Sequence, residues 1–198
     1  MYLMLDEKKI ELLGESVDDA IGEAFDKTAK LIGLGYPGGA RIEELAKYGD
    51  ENYFKLPKPL LNDPSFNFSF SGIKTHINLL TKKNKIDDIF RKNISSSFQK
   101  TITEIIISKI EKVLEFLNTK KISLKSTSIV GGVANNFYIK RNLENLFEKK
   151  NIELYYPIKE MMSDNAAMIA WACFVNYNKY KDNIFFKPQP RLKINERL

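Results

Sequence analysis

Apolar positions recur at helical spacing through residues 17–32. Val17, Ala20, Ile21, Ala24, Phe25, Thr28, Leu31 and Ile32 fall on one face. Gly33 and Gly35 close the segment, and Ser16 with Asp19, three apart, has the spacing of a capping box at its start. Upstream, "YLML" and "KIELL", joined by Asp6-Glu7-Lys8, predict a β-hairpin. Downstream, "YPGGA" reads as a turn and 40–48 as a short helix stopped by Gly49. Residues 50–65, with Pro57, Pro59 and Pro64, read as an irregular loop. "FNFSFSG" alternates strictly, with Phe66, Phe68 and Phe70 on one face, which predicts a strand ending at Gly72.

The helical period returns from Ile86 to Leu117, a span long enough that a break is expected near Asn93–Ser96. The last third alternates strand and helix. "STSIV" is a strand, 136–149 a helix, "IELYY" a strand and 164–177 a helix. This is a βαβ unit followed by a further helix, so the class is α/β with parallel strands and a ligand site beyond their carboxyl ends. The tail "FFKPQPRLKINERL" is expected to be extended, and no internal repeat interrupts the chain.

Composition narrows the class. The chain has 198 residues, 43% hydrophobic and 28% charged, enough for one domain with a true core. No apolar run approaches the ~18 residues that would cross a bilayer. The opening "MYLMLDEKKIELL" lacks the basic-then-apolar order of a signal peptide. A lone cysteine, Cys173, excludes an internal disulfide and suits a reducing cytosol; its apolar surroundings suggest core filler rather than a nucleophile. The expected location is cytoplasmic, with no membrane partner. The net charge of +6 suits a polyanionic partner, but the basic residues are spread along the chain, "TKKNK" and "EKK" being the densest spots.

Candidate chemistry sits where regular elements end. In "IVGGVANN" two glycines follow a strand and precede a helix. That geometry either lets backbone N–H groups approach an anion or simply serves a turn needing positive φ. Asn136 is placed to cap the helix or to bond a ligand. Asp26 lies off the apolar face, where an ion pair with Lys30, four residues on, is the plain expectation. In "EMMSDNAAMIAWA", Ser163 or Asp164 can cap the following helix, which is the plain expectation on these residues alone; the other reading is that Asp164 faces a cleft and holds a cation. His76, the only histidine, has no partner for a metal pair or a Ser-His-Asp arrangement.

Four motifs in order then converge: "ELLGESVDDAIGEAFDKTAKLIGLGYPGG", "FSFSGIKT", "GGVANN" and "SDNAAMIA". Together they closely resemble the tRNA N6-adenosine threonylcarbamoyltransferase family through essentially the whole chain. The resemblance implies an actin-like, Hsp70-like ATPase fold, of which residues 1–198 are the second lobe, a mixed sheet flanked by helices with a helical insertion at about 80–121. It implies transfer of a threonylcarbamoyl group from threonylcarbamoyl-adenylate to N6 of the adenosine beside the anticodon, in tRNAs reading codons that start with A. It implies that Asp26, Gly39 and Asn136 hold the adenylate and that Asp164 ligates a metal, one Fe(2+) per subunit. The implied partners are tRNA and the accessory proteins of the modification complex.

The family's first lobe, with its His-x-x-x-His metal pair and Ser-Gly-Gly-His strand, has no counterpart here. The expectation is that this amino-terminal half is absent and must be supplied for activity. A non-catalytic, partner-binding remnant and an actin-like ATP-dependent phosphotransferase are the alternatives; "FSFSGIKT" argues against the second.

Overall fold

A computed structural model describes residues 1–6, 9–162 and 164–180, with the side chains of 178–180 left aside. Ser163 and the carboxyl-terminal tail therefore lie outside the described residues, as does the expectation attached to each.

The hairpin forms as β1 (Tyr2–Asp6) and β2 (Lys9–Leu12), antiparallel, with Leu3 opposite Glu11 and Met4 opposite Ile10. The Met1 ammonium bonds the Gly14 carbonyl and extends the pairing past Leu12. Leu3 is the hairpin's buried residue, seated with Val113 and Leu117 of the long helix. Next comes α1 (Ile21–Leu31), burying Ala24, Phe25, Thr28 and Ala29 and ending at Gly33 and Gly35, both at φ +76°. Two details differ from the sequence expectation. Val17 is exposed outside the helix, and Ser16 is no cap: its hydroxyl donates to the Asp19 carbonyl, while Ser16 pairs with Phe68 in an isolated parallel bridge.

The glycines of "YPGGA" are not a turn. They are the first turn of α2 (Gly38–Ala46), which packs against α1. The alternating "FNFSFSG" makes only that single bridge to Ser16 and then enters α3 (Ser71–Lys83), with Gly72 inside the helix. Its phenylalanines turn inward as their period requires, Phe68 and Phe70 buried and Phe66 partly so, but in two places. Phe66 tilts against Phe116, whereas Phe68 and Phe70 stack on each other in the main core. Among the described residues no neighbouring strand runs beside them long enough to make a ladder, so alternation here records burial rather than a sheet.

The expected break near Asn93–Ser96 does not occur. Asp87 caps the Phe90 N–H, and α4 (Asp88–Thr119) runs 32 residues unbroken, about 48 Å at 1.5 Å per residue. Residues 93–99 are buried on every side, and the small Ser95, Ser96 and Ser97 let neighbours close in. Gly49, beyond α2, sits so tightly that a Cβ there would lie 2.1 Å from the Lys92 carbonyl oxygen. A helix enclosed all round shows no polar face, and that removes the usual sign of where it stops. Around α4 gathers the main core, including Phe25, Phe70, Phe98, Ile102 and Ile105, with Phe25 edge-on to Phe98 at 4.9 Å.

The βαβ unit is present. The strands β3 (Ser126–Ser128) and β4 (Glu153–Tyr155) pair in parallel around α5 (Phe137–Lys149), which is capped by Asn136. Among the described residues the strands form two separate two-stranded sheets, one antiparallel and one parallel, rather than one mixed sheet. The last element, α6 (Ala166–Tyr180), is exposed at every residue from 166 to 177, so Cys173 is a surface thiol and not core filler. No helix of the described residues is long and apolar enough to cross a membrane.

Candidate functional site

Hydrogen bonds tie α1 to the start of α2 and α2 to the start of α5, and a glycine turn leads into α5. The junction begins at Asp26, half-buried in the middle of α1. Its Oδ1 accepts the Gly38 N–H at 2.8 Å, tying α1 to the first turn of α2. The expected pair with Lys30 is absent, because that carboxylate is already committed across the turn. The ion pairs of α1 run instead through Lys27, to Asp19 at 2.6 Å and Glu23 at 2.7 Å. Only glycine fits at position 38, since a Cβ would come within 2.7 Å of Ala29 Cβ and of Asp26 Cα. At Gly39 the situation reverses: a Cβ would meet nothing within 4 Å. Neither packing nor a positive φ requires glycine there, so the backbone faces open space into which a ligand can close.

α2 reaches across to α5. The Glu43 Oε1 accepts the Phe137 N–H at 2.6 Å, the first turn of α5. Asn136 Oδ1 accepts the Ile139 N–H at 3.0 Å, and its Nδ2 donates to Gln99 Oε1 of α4 at 2.8 Å. A carboxylate and a side-chain amide thus already occupy two of the free N–H groups that a helix start offers to an anion. The next residue, Tyr138, donates to Glu51 Oε2 at 2.8 Å, and Lys100 donates to Glu51 Oε1 at 3.1 Å. The tyrosine hydrogen bond, with Lys100, holds the Glu51 carboxyl below its ordinary range. Burial, reinforced by Glu51, pushes the Tyr138 hydroxyl upward.

The glycine turn comes next. Gly131 has φ +99°, which favours glycine, and its N–H donates to the Met162 carbonyl at 3.0 Å. That bond draws the 159–162 turn, and with it Asp164 two residues later, beside "GGVANN". Asp164 itself is exposed and is not the cap of α6. Asn165 takes that role, its Oδ1 accepting the Met168 N–H at 2.9 Å. The fold therefore links Asp26, Gly39 and Asn136 through α2 and α5, and brings Asp164 to the adjoining turn. As a metal centre the set is incomplete: among the described residues no three His, Cys, Asp or Glu side chains group to hold an ion. One exposed carboxylate does not fit a metal by itself.

Three residues of this region escaped the sequence reading. Glu43 and Gln99 carry no motif, though Gln99 is a polar residue within an otherwise apolar helical period. Asp18 pins the "FSFSG" segment, accepting from Ser69 Oγ at 2.5 Å, Phe70 N–H at 2.8 Å and Ser71 Oγ at 2.7 Å. Burial alone would raise its carboxyl, but these bonds outweigh it and hold the group at about 2.

The class defined by this arrangement is an α/β lobe whose helix starts and glycine turns converge beside a parallel βαβ unit. A family model for tRNA N6-adenosine threonylcarbamoyltransferase matches residues 1–171. The tRNA N6-adenosine threonylcarbamoyltransferase of Thermosipho africanus (strain TCF52B) is 44% identical over 195 residues, covering 98% of this chain and 58% of the relative. That of Thermosipho melanesiensis is 42% identical over 180 residues (91% and 53%), and that of Rickettsia rickettsii (strain Sheila Smith) 40% over 192 residues (95% and 56%). This chain belongs to the tRNA N6-adenosine threonylcarbamoyltransferase family. It spans only a little over half the length of these relatives and corresponds to their carboxyl-terminal part.

Proposed function

We propose that the chain is the second lobe of an actin-like, Hsp70-like transferase, residues 80–121 included. In this reading it holds the adenylate part of threonylcarbamoyl-adenylate while the group passes to N6 of the adenosine beside a tRNA anticodon. The observation that carries the reading is the pairing at the start of α2: Gly38 is forced by packing against Asp26, whereas Gly39 faces open space. A family match over residues 1–171 supports the same assignment.

The reaction is an acyl transfer. A bond forms between N6 and the carbamoyl carbon, the C–O bond to the adenylate phosphate breaks, N6 loses a proton and AMP leaves. Residues of this chain bind and orient. Asp26 fixes the α2 start, Gly39 gives the nucleotide close access to backbone, and Asn136 offers its remaining amide hydrogen. Asp164 is the carboxylate this chain would contribute to an Fe(2+) site whose other donors come from outside the described residues. The remaining ligands, the tRNA and the accessory proteins engage the assembled protein in the cytoplasm.

The test supplies the amino-terminal part of the Thermosipho africanus relative in trans. Purified chain plus that fragment, tRNA, threonylcarbamoyl-adenylate, iron and the accessory proteins should yield the modified nucleoside by mass spectrometry, and the chain without the fragment should not. Product from the chain without the fragment would show that the missing part is dispensable. No product from the assembled mixture, with both parts folded and associated, would overturn the transferase reading.

A further inference from the structure

Asn136 sits at the centre of the proposed site, yet it is only 6% exposed and its amide is already engaged twice. The engagement has a forced order. The Ile139 N–H can be accepted only by oxygen, so Oδ1 must face the helix. Nδ2 is thereby turned toward α4, where its neighbour is Gln99, a side chain 5% exposed. A donor needs an acceptor, so Gln99 must present Oε1 and not its NH2. The helix cap thus fixes the orientation of two buried amides in sequence. Nδ2 carries two hydrogens, and the bond to Gln99 uses one. No hydrogen bond to Gln99 Nε2 occurs among the described residues.

Without Gln99 the cap to Ile139 would survive, but Nδ2 would lose its fixed partner and the amide plane its second anchor. The other Nδ2 hydrogen is the group available to an acceptor oxygen of a ligand, and its direction depends on that plane. We propose that Gln99 is a positioning residue of the adenylate site, acting through Asn136. Its Oε1 holds the Asn136 amide so that the free Nδ2 hydrogen is preset for a ligand oxygen. The proposal rests on the reading of this edge as an adenylate site, and it assigns a role to a residue on α4 that touches no ligand itself.

The experiment compares Gln99→Met, which removes the acceptor, with Gln99→Glu, which keeps an acceptor oxygen in place. The full chain is followed by NMR of the Asn136 side-chain amide, by titration with AMP as the probe and by thermal melting. The expected result is a slowly exchanging Asn136 amide in the wild type and in Gln99→Glu, fast exchange in Gln99→Met, and AMP affinity about three- to tenfold weaker in Gln99→Met alone, the scale of one hydrogen bond. Should Gln99→Met not fold, Asn136→Ser keeps a capping oxygen but drops the amide, and should show the same loss of AMP binding with α5 intact. Unchanged Asn136 exchange in Gln99→Met would overturn the proposal, as would normal AMP binding in Asn136→Ser. Loss of AMP binding in Gln99→Glu with Asn136 still protected would also overturn it, by showing that Nε2 itself contacts the ligand. If the wild type binds no AMP, the adenylate reading fails for this chain, while the exchange measurement still decides the link between the two amides.

Discussion

Adjacent glycines at the start of α2 do opposite things. Gly38→Ala places a Cβ 2.7 Å from two atoms of α1, so it should lower stability by about 1–3 kcal/mol, the usual cost of overpacking. Gly39→Ala meets open space and should leave the melting temperature nearly unchanged while weakening adenylate binding. Thermal melts of both, with AMP titration of the second, check the pair; equal melting temperatures for the two variants would remove the packing argument. Asp18 gives a pH test. Its folded carboxyl lies at about 2 against an ordinary 3.8, so the folded state binds that proton less readily than the unfolded chain. The stability it contributes is present above 3.8 and is lost as pH falls toward 2. Melting curves across that window should fall more steeply for the wild type than for Asp18→Asn, which has no carboxyl to protonate.

At the scale of elements, α4 is the axis on which the others hang. Phe98 is fully buried at its centre against Phe25, so Phe98→Ala should cost about 3–5 kcal/mol. Chemical denaturation would show this as a large drop in midpoint, and a small drop would mean that the core closes over the gap. Farther along, α4 holds the proline-containing loop by cations as well as by apolar contact, Phe54 standing edge-on to Phe90 at 5.3 Å. Lys109, buried, donates to the carbonyls of Ser65 at 2.7 Å and Asp63 at 3.3 Å, and Lys112 to that of Leu61 at 2.6 Å. Burial lowers the Lys109 ammonium from its ordinary value, and Lys112 beside it adds to the effect. An irregular loop without a ladder has carbonyls to satisfy, and two lysines one turn apart on a helix supply the donors.

At the scale of the whole molecule, the feature that stands out is the exposed apolar surface of α6. Met168, Ile169, Trp171, Phe174 and Val175 are all exposed, with Trp171 at 66%, on a helix with no charged residue between Ala166 and Tyr177. The relatives are nearly twice as long as the matched segment, and in the second-lobe reading proposed above an exposed apolar helix of this kind is where the rest of such a protein would pack. Trp171 is the chain's only tryptophan, so it reports the event directly. Its fluorescence should be open to iodide quenching in the chain alone. It should become protected and shift to the blue when the amino-terminal part of the Thermosipho africanus relative is added. Quenching that is unchanged by a fragment shown to bind would place the contact elsewhere. Light scattering of the chain alone should show self-association through the same surface.

What the sequence determined by itself follows from local rules. The hairpin, the glycine end of α1, the βαβ unit and the asparagine cap of α5 are legible because period and capping chemistry act over a few residues. The order of four motifs carried the family. What only the tertiary structure decided depends on partners distant along the chain. "FSFSG" is held by Asp18, some fifty residues away, and so runs into a helix instead of a sheet. α4 passes unbroken through its serines because neighbours enclose them. Asp26 faces Gly38 and not Lys30 because the turn after α1 folds back over it. Sequence spacing places a carboxylate on a helix face, but which backbone N–H arrives there is set by packing, and packing is what makes Gly38 obligatory and leaves Gly39 free.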